Sequence, residues 1–134
     1  MIVVDASAMV EALVGKEIDD RLLALLEGEI SAPHLLDAEV LSVLRGLTLR
    51  GTLPEEHADR ARHNYFALNI VRYDSAPLAE RVWALRHNYT SYNAHYIALS
   101  EALPAPLGTC DRKLAGNGHR AVVDVFPRSH PTGP

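Results

Sequence analysis

The stretch Ile2-Val3-Val4-Asp5-Ala6-Ser7-Ala8-Met9-Val10 decides how the rest of the chain is read. Ile2 to Val4 is a β-branched run that halts at Asp5, the pattern of a short strand buried on both faces. Ser7 is placed to cap a helix running to about Val14. A strand, an acidic residue and a helix in that order form the first half of a strand–helix–strand unit, and the sequence beyond repeats the scheme. Residues 17–27 carry Ile18, Leu22, Leu25 and Leu26 on one stripe and end at Gly28. Ile30 to Ala32 reads as a second strand. Pro33 opens a long helix to about Arg50, stopped by Gly51, with Leu36, Val40, Val43, Leu44 and Leu47 on one face.

Farther out, Pro54 starts a helix to about Leu68, Asn69 to Tyr73 is a third strand, and Ala76 to Arg86 is a helix. Tyr92 to Leu103 is a helix with an apolar face of mostly small residues, and Pro106 to Cys110 is a fourth strand. A short helix over Asp111 to Ala115 and a strand over Ala121 to Phe126 complete the pattern. Such alternation predicts an α/β protein of three layers, a central parallel sheet flanked by helices. Residues 1–126 form the domain and Pro127 to Pro134 a loose, proline-rich tail. Trp83 is read as core.

Bulk properties narrow the function. The chain has 134 residues, 48% hydrophobic and 22% charged, a globular composition of one-domain size. No apolar run is long enough to cross a bilayer, and Met1-Ile2-Val3-Val4-Asp5 lacks the basic lead of a secretion signal. Cys110 stands alone, so no internal disulfide forms, and the expectation is a cytoplasmic protein without membrane attachment. The net charge of −4 does not advertise nucleic-acid binding, although a basic rim can surround an acidic site. The histidines show no zinc-binding spacing.

Ligands of parallel sheets bind beyond the carboxyl ends of the strands. Asp5 and Asp111 occupy two such ends, and each also precedes a helix that it suits as an N-cap. Glu39 lies on the long helix among Leu36, Val40 and Val43; a carboxylate facing inward there needs a partner or a cation. Asp37, two positions away, is read as solvated. A haloacid-dehalogenase-like phosphotransfer fold would want a second Asp at position 7, where Ser7 stands, and Asp74 does not fit the order of a receiver domain.

Four ordered segments resemble those of PIN domains. They are Val3-Val4-Asp5-Ala6-Ser7-Ala8, Pro33-His34-Leu35-Leu36-Asp37-Ala38-Glu39-Val40, the run from Leu85 through Ser91-Tyr92-Asn93-Ala94 to Glu101, and Pro106-Leu107-Gly108-Thr109-Cys110-Asp111-Arg112-Lys113-Leu114-Ala115. In style they are most similar to VapC-type toxins. The resemblance implies a PIN-like fold and hydrolytic RNA cleavage with Mg2+ or Mn2+, held and used by Asp5, Glu39, the residue at position 93, and Asp111. It also implies a VapB-type antitoxin as partner, with its tail in a groove near Leu22–Leu26 and Leu41–Leu49, and a homodimer. Ser7 and Thr109 match hydroxyl positions beside the acidic cluster. Arg45, Arg86, His87, Arg112 and Lys113 are candidates for RNA phosphates. The pattern departs at Asn93, where an Asp is expected: one oxygen ligand stays and a full negative charge is gone. Weak metal binding and impaired cleavage are expected, whether the carboxylate was removed by design or lost naturally; the intact neighbours favour design. The rival is a catalytically inactive PIN-like module that binds RNA or protein.

Overall fold

A computed structural model describes residues 1–131 of the chain. Five strands, β1 (Ile2–Val4), β2 (Ile30–Pro33), β3 (Ile70–Tyr73), β4 (Leu107–Thr109) and β5 (Val123–Val125), form one sheet in the order β3-β2-β1-β4-β5. Every neighbouring pair is parallel, with Ile2 opposite Ile30, Val3 opposite Leu107, and Leu107 opposite Val123. Ile2, Val3 and Val4 are all buried, as a central strand covered on both faces requires. Six helices flank the sheet: α1 (Ala6–Val14), α2 (Asp20–Leu26), α3 (Leu35–Leu49), α4 (Glu55–Ala67), α5 (Ala79–Ala84) and α6 (Ser91–Ala102). The helices α1, α3 and α4 pack on one another, while α6 lies against β1, β2 and β4 with α5 beside it. Right-handed crossovers explain the division, because the chain adds strands outward from β1 to β3 and then returns to the other side of β1. The point of reversal lies between β1 and β4, the position where sheets of this kind bind ligands beyond the carboxyl ends of their strands.

Local signals account for most boundaries. Gly51 ends α3 with φ of 73°, and the Thr52 N–H returns to the Leu47 carbonyl at 3.1 Å. Several expectations need correction. Pro33 closes β2 rather than opening a helix, so α3 begins at Leu35. Asp5, not Ser7, is the N-cap of α1. The helix expected over 76–86 is a 3-10 turn at Ala76–Leu78 followed by the short α5. Trp83 is 68% exposed, with the Arg86 guanidinium 4.7 Å above its ring, so an amphipathic cover replaces burial. Asp37 is half-buried and paired: it accepts from Arg72 Nε at 2.8 Å and from the Tyr65 hydroxyl at 2.5 Å.

The tail also departs from expectation. Through His130 it is strapped to α1 by Glu11, a fully buried carboxylate. Glu11 accepts from the backbone N–H groups of Ser129 and His130 at 2.7 and 2.9 Å, from His130 Nδ1 at 2.7 Å, and from the Ser129 hydroxyl. A buried carboxylate needs that many donors. Gly15 leaves the room: a Cβ there would stand 2.5 Å from both the Glu11 carbonyl and its carboxylate. The last three residues, 132–134, lie outside the described part.

Candidate active site

Asp5 is the first residue beyond β1 and is 5% exposed. Its Oδ1 accepts from the Ala8 N–H at 3.0 Å and the Ser7 hydroxyl at 2.7 Å, and its Oδ2 accepts from the Thr109 hydroxyl at 2.5 Å. The capping role is therefore real, and these donors fix the carboxylate at the end of β1. The Ser7 and Thr109 hydroxyl oxygens are 3.3 Å apart, the Cys110 N–H donates to Ser7 at 2.8 Å, and the Asp111 N–H donates to Thr109 at 2.9 Å. These bonds tie the ends of β1 and β4 together. Asp111 follows β4 and accepts from the Lys113 N–H at 3.0 Å, capping the 3-10 turn Arg112–Ala115.

Glu39 comes from α3. Its Oε1 accepts from the Tyr96 hydroxyl of α6 at 2.5 Å, so a side chain from each helical layer meets above the sheet edge. Burial pushes the Glu39 carboxyl above its ordinary range; the Tyr96 bond opposes this and the charge of Asp5 adds to it. Burial likewise raises Asp5, against the pull of its Thr109, Ala8 and Ser7 hydrogen bonds and with a contribution from Asp111. Asp5 thus lies within the electrostatic reach of both Glu39 and Asp111. Among the described residues none of the three carboxylates is ion-paired to Lys, Arg or His.

Asn93 sits in the first turn of α6, half-buried, one turn before Tyr96. Its backbone N–H donates to the Thr90 hydroxyl at 3.2 Å, and its side-chain amide makes no hydrogen bond among the described residues. The arrangement does not present a finished metal shell: among the described residues no three His, Cys, Asp or Glu side chains converge tightly enough to hold one ion. Chemically, the oxygen donors fit a hard divalent cation, and the three unpaired carboxylates call for positive charge. The nearby Cys110 thiol is pushed up to about 12, mainly by burial, and is no nucleophile at neutral pH.

Sequence reasoning missed Tyr96. Its signal was spacing, three residues beyond Asn93 on one helical face. Of the candidates for phosphate, Arg86 covers Trp83, while Arg112 and Lys113 follow Asp111 and are exposed.

Comparison with known proteins gives the family. The PIN-domain family model matches residues 2–118, and the chain belongs to the PIN-domain family. Within that family it is similar to VapC ribonucleases. Ribonuclease VapC1 of Mycobacterium tuberculosis is 48% identical over 116 residues, covering 84% of this chain and 87% of that protein. Ribonuclease VapC9 of the same organism is 39% identical over 130 residues, covering 96% and 100%. A chain in the structure of VapBC2 from Rickettsia felis bound to a DNA fragment from its promoter shares the fold, with a TM-score of 0.68 and 15% identity over 94% of this chain and 99% of that one.

Proposed function

We propose that the protein is a VapC-type toxin, an endoribonuclease that depends on Mg2+ or Mn2+, and that the Asn93 form is impaired in cleavage. The observation that carries the reading is that Asp5 and Asp111 at the ends of β1 and β4, and Glu39 from α3, form no ion pair among the described residues, while burial raises Asp5 and Glu39. When bound, a divalent ion supplies neutralising charge for phosphate oxygens and makes water more acidic. Asp5, held by three donors, is the fixed ligand; Glu39, Asp111 and the oxygen of Asn93 complete the set. Tyr96 sets the direction of Glu39, and the Ser7–Thr109 hydroxyl pair sets that of Asp5.

Asn93 costs the site a negative charge, which weakens its hold on a cation. Incubating total RNA with Mg2+ or Mn2+ tests this. Cleavage is expected to be weak for the chain as it stands and strong for Asn93→Asp, with loss of both on Asp5→Asn. The absence of any cleavage by Asn93→Asp would leave the second reading, an inactive PIN-like module that binds RNA or protein.

Partnership with a VapB-type antitoxin belongs to the same proposal, supported by the likeness to a VapBC chain. The leucines of the expected groove divide: Leu22, Leu44 and Leu47 are core, whereas Leu23, Leu41 and Leu49 are exposed. A cleft of about 320 Å³ between α3 and α4, lined by Leu41, Leu44, Arg45 and Ala58, offers a seat for an antitoxin helix. We also assign a homodimer and, given a lone cysteine and an RNA substrate, the cytoplasm. Among the described residues no helix is long and apolar enough to cross a membrane.

A further inference from the structure

Beside the carboxylate centre, on the β5 side, is a cavity of about 620 Å³ whose wall includes Arg21, Cys110, Arg112, Phe126 and Arg128. Among the described residues no carboxylate lines it. Arg112 and Arg128 are exposed and, among the described residues, form no ion pair. Arg21 is paired with Asp19 at 2.9 Å and lies 5.5 Å from the Phe126 ring centroid, so it contributes a braced, partly neutralised cation. The concentration of arginine stands out in a chain whose formal charge is −4.

Two connections join the cavity to the rest of the molecule. The first leads to the carboxylates: Cys110 in the wall bonds through its N–H to Ser7, which donates to Asp5, and Arg112 follows Asp111 directly. The second leads to the strap: Arg128 immediately precedes Ser129 and His130, whose donors converge on Glu11. The Ser129 hydroxyl also accepts from the Glu17 N–H at 3.0 Å, fixing the strap at a second point. A tail anchored in this way holds its arginine over the cavity at little entropic cost on binding.

We propose that this arginine-lined cavity binds backbone phosphates of the RNA strand running past the carboxylate centre, and that the buried Glu11 strap positions Arg128 for the purpose. The proposal rests on the ribonuclease reading for its choice of anion. Planar guanidinium groups suit phosphate oxygens, which they engage in pairs, and contacts to phosphate position a strand without reading its sequence.

The test is fluorescence anisotropy of a short fluorescein-labelled single-stranded RNA of mixed sequence, titrated with the full Asn93 chain in EDTA over a range of NaCl concentrations. The Arg112→Gln/Arg128→Gln double variant is expected to bind several-fold more weakly. The slope of log affinity against log salt should become shallower by about 1.4, at about 0.7 for each phosphate contact on a single strand. Glu11→Gln should reproduce the loss caused by Arg128→Gln alone and add nothing to it in combination. A chain ending after Arg128 should behave like Glu11→Gln and covers the case in which the buried substitution unfolds the protein. Unchanged affinity and slope in the double variant, or no RNA binding by the parent chain, would overturn the cradle. RNA cleavage by Asn93→Asp, measured separately, keeps the two ideas apart: cleavage with unchanged binding sinks only the cradle, whereas altered binding with no cleavage sinks only the nuclease.

Discussion

At the scale of single residues, the centre keeps charge where the fold would rather have none. The Asp5 carboxyl is lifted by burial even though three donors stabilise its ionised form. Its proton is therefore held more tightly in the folded protein than in the unfolded chain. The contribution of Asp5 to stability is therefore greatest below the ordinary value of 3.8 and is lost as pH rises through the raised folded value. Asp5→Asn removes the charge at nearly constant shape. At neutral pH without divalent metal, the variant is expected to melt at a higher temperature than the parent by differential scanning calorimetry, while cleavage in the Asn93→Asp background disappears. A lower melting temperature would mean that the hydrogen bonds to Asp5 outweigh its burial. Tyr96 gives the complementary case. Tyr96→Phe leaves Glu39 without its 2.5 Å donor and should cost about 1–3 kcal/mol in urea unfolding. In the Asn93→Asp background it should also lower the rate at saturating Mn2+, as expected when a ligand has lost its orientation.

At the scale of elements, α1 serves both ends of the molecule. Its N-terminus carries the Asp5 cap, and its second turn carries Glu11, the anchor of the tail. Burial works to raise the Glu11 carboxyl, but the donors of Ser129 and His130 prevail and hold it below its ordinary range. Burial holds the His130 imidazole below its ordinary value, with the positive charge of Arg128 acting in the same direction. Both shifts have one consequence. Stability due to His130 is lost as pH falls below 6.5, and that due to Glu11 is lost as pH falls below 4.5 through the lowered value. Acid should thus release the strap before the sheet melts. Amide hydrogen exchange of Ser129 and His130, corrected for intrinsic rates, should lose protection on acidification while Val3 keeps it; uniform loss along the chain would contradict a separate strap.

How much of this was legible follows the range of the forces involved. The strands, the long helices and the carboxyl-end placement of Asp5 and Asp111 come from local periodicity and short β-branched runs, so the sequence displayed them. Pro33 misled because its fixed φ suits a strand end as well as a first helical turn. Trp83 misled because a large apolar side chain normally signals burial, and only the fold shows Arg86 laid over it. The Tyr96–Glu39 bond spans 57 positions and the Ser129–Glu11 bond spans 118, and nothing local announces either. Asn93 was visible only through the family pattern, since its side chain makes no bond that marks it.

At the scale of the whole molecule, charge is sorted by position. Asp5 and Asp111 follow β1 and β4, where the chain reverses its direction of winding, and arginines line the cavity on the β5 side. A parallel sheet supplies that point of reversal without dedicated loops, and for this reason short strands of three or four residues suffice to position the site. The central claim is that the protein holds a divalent-cation site weakened at position 93. Electron paramagnetic resonance of free Mn2+ tests it most directly. Titrating protein into Mn2+ should deplete the signal weakly for the Asn93 chain, strongly for Asn93→Asp, and not at all once Asp5→Asn is added to the latter. Equal depletion by all three proteins, or none by Asn93→Asp, would contradict the account.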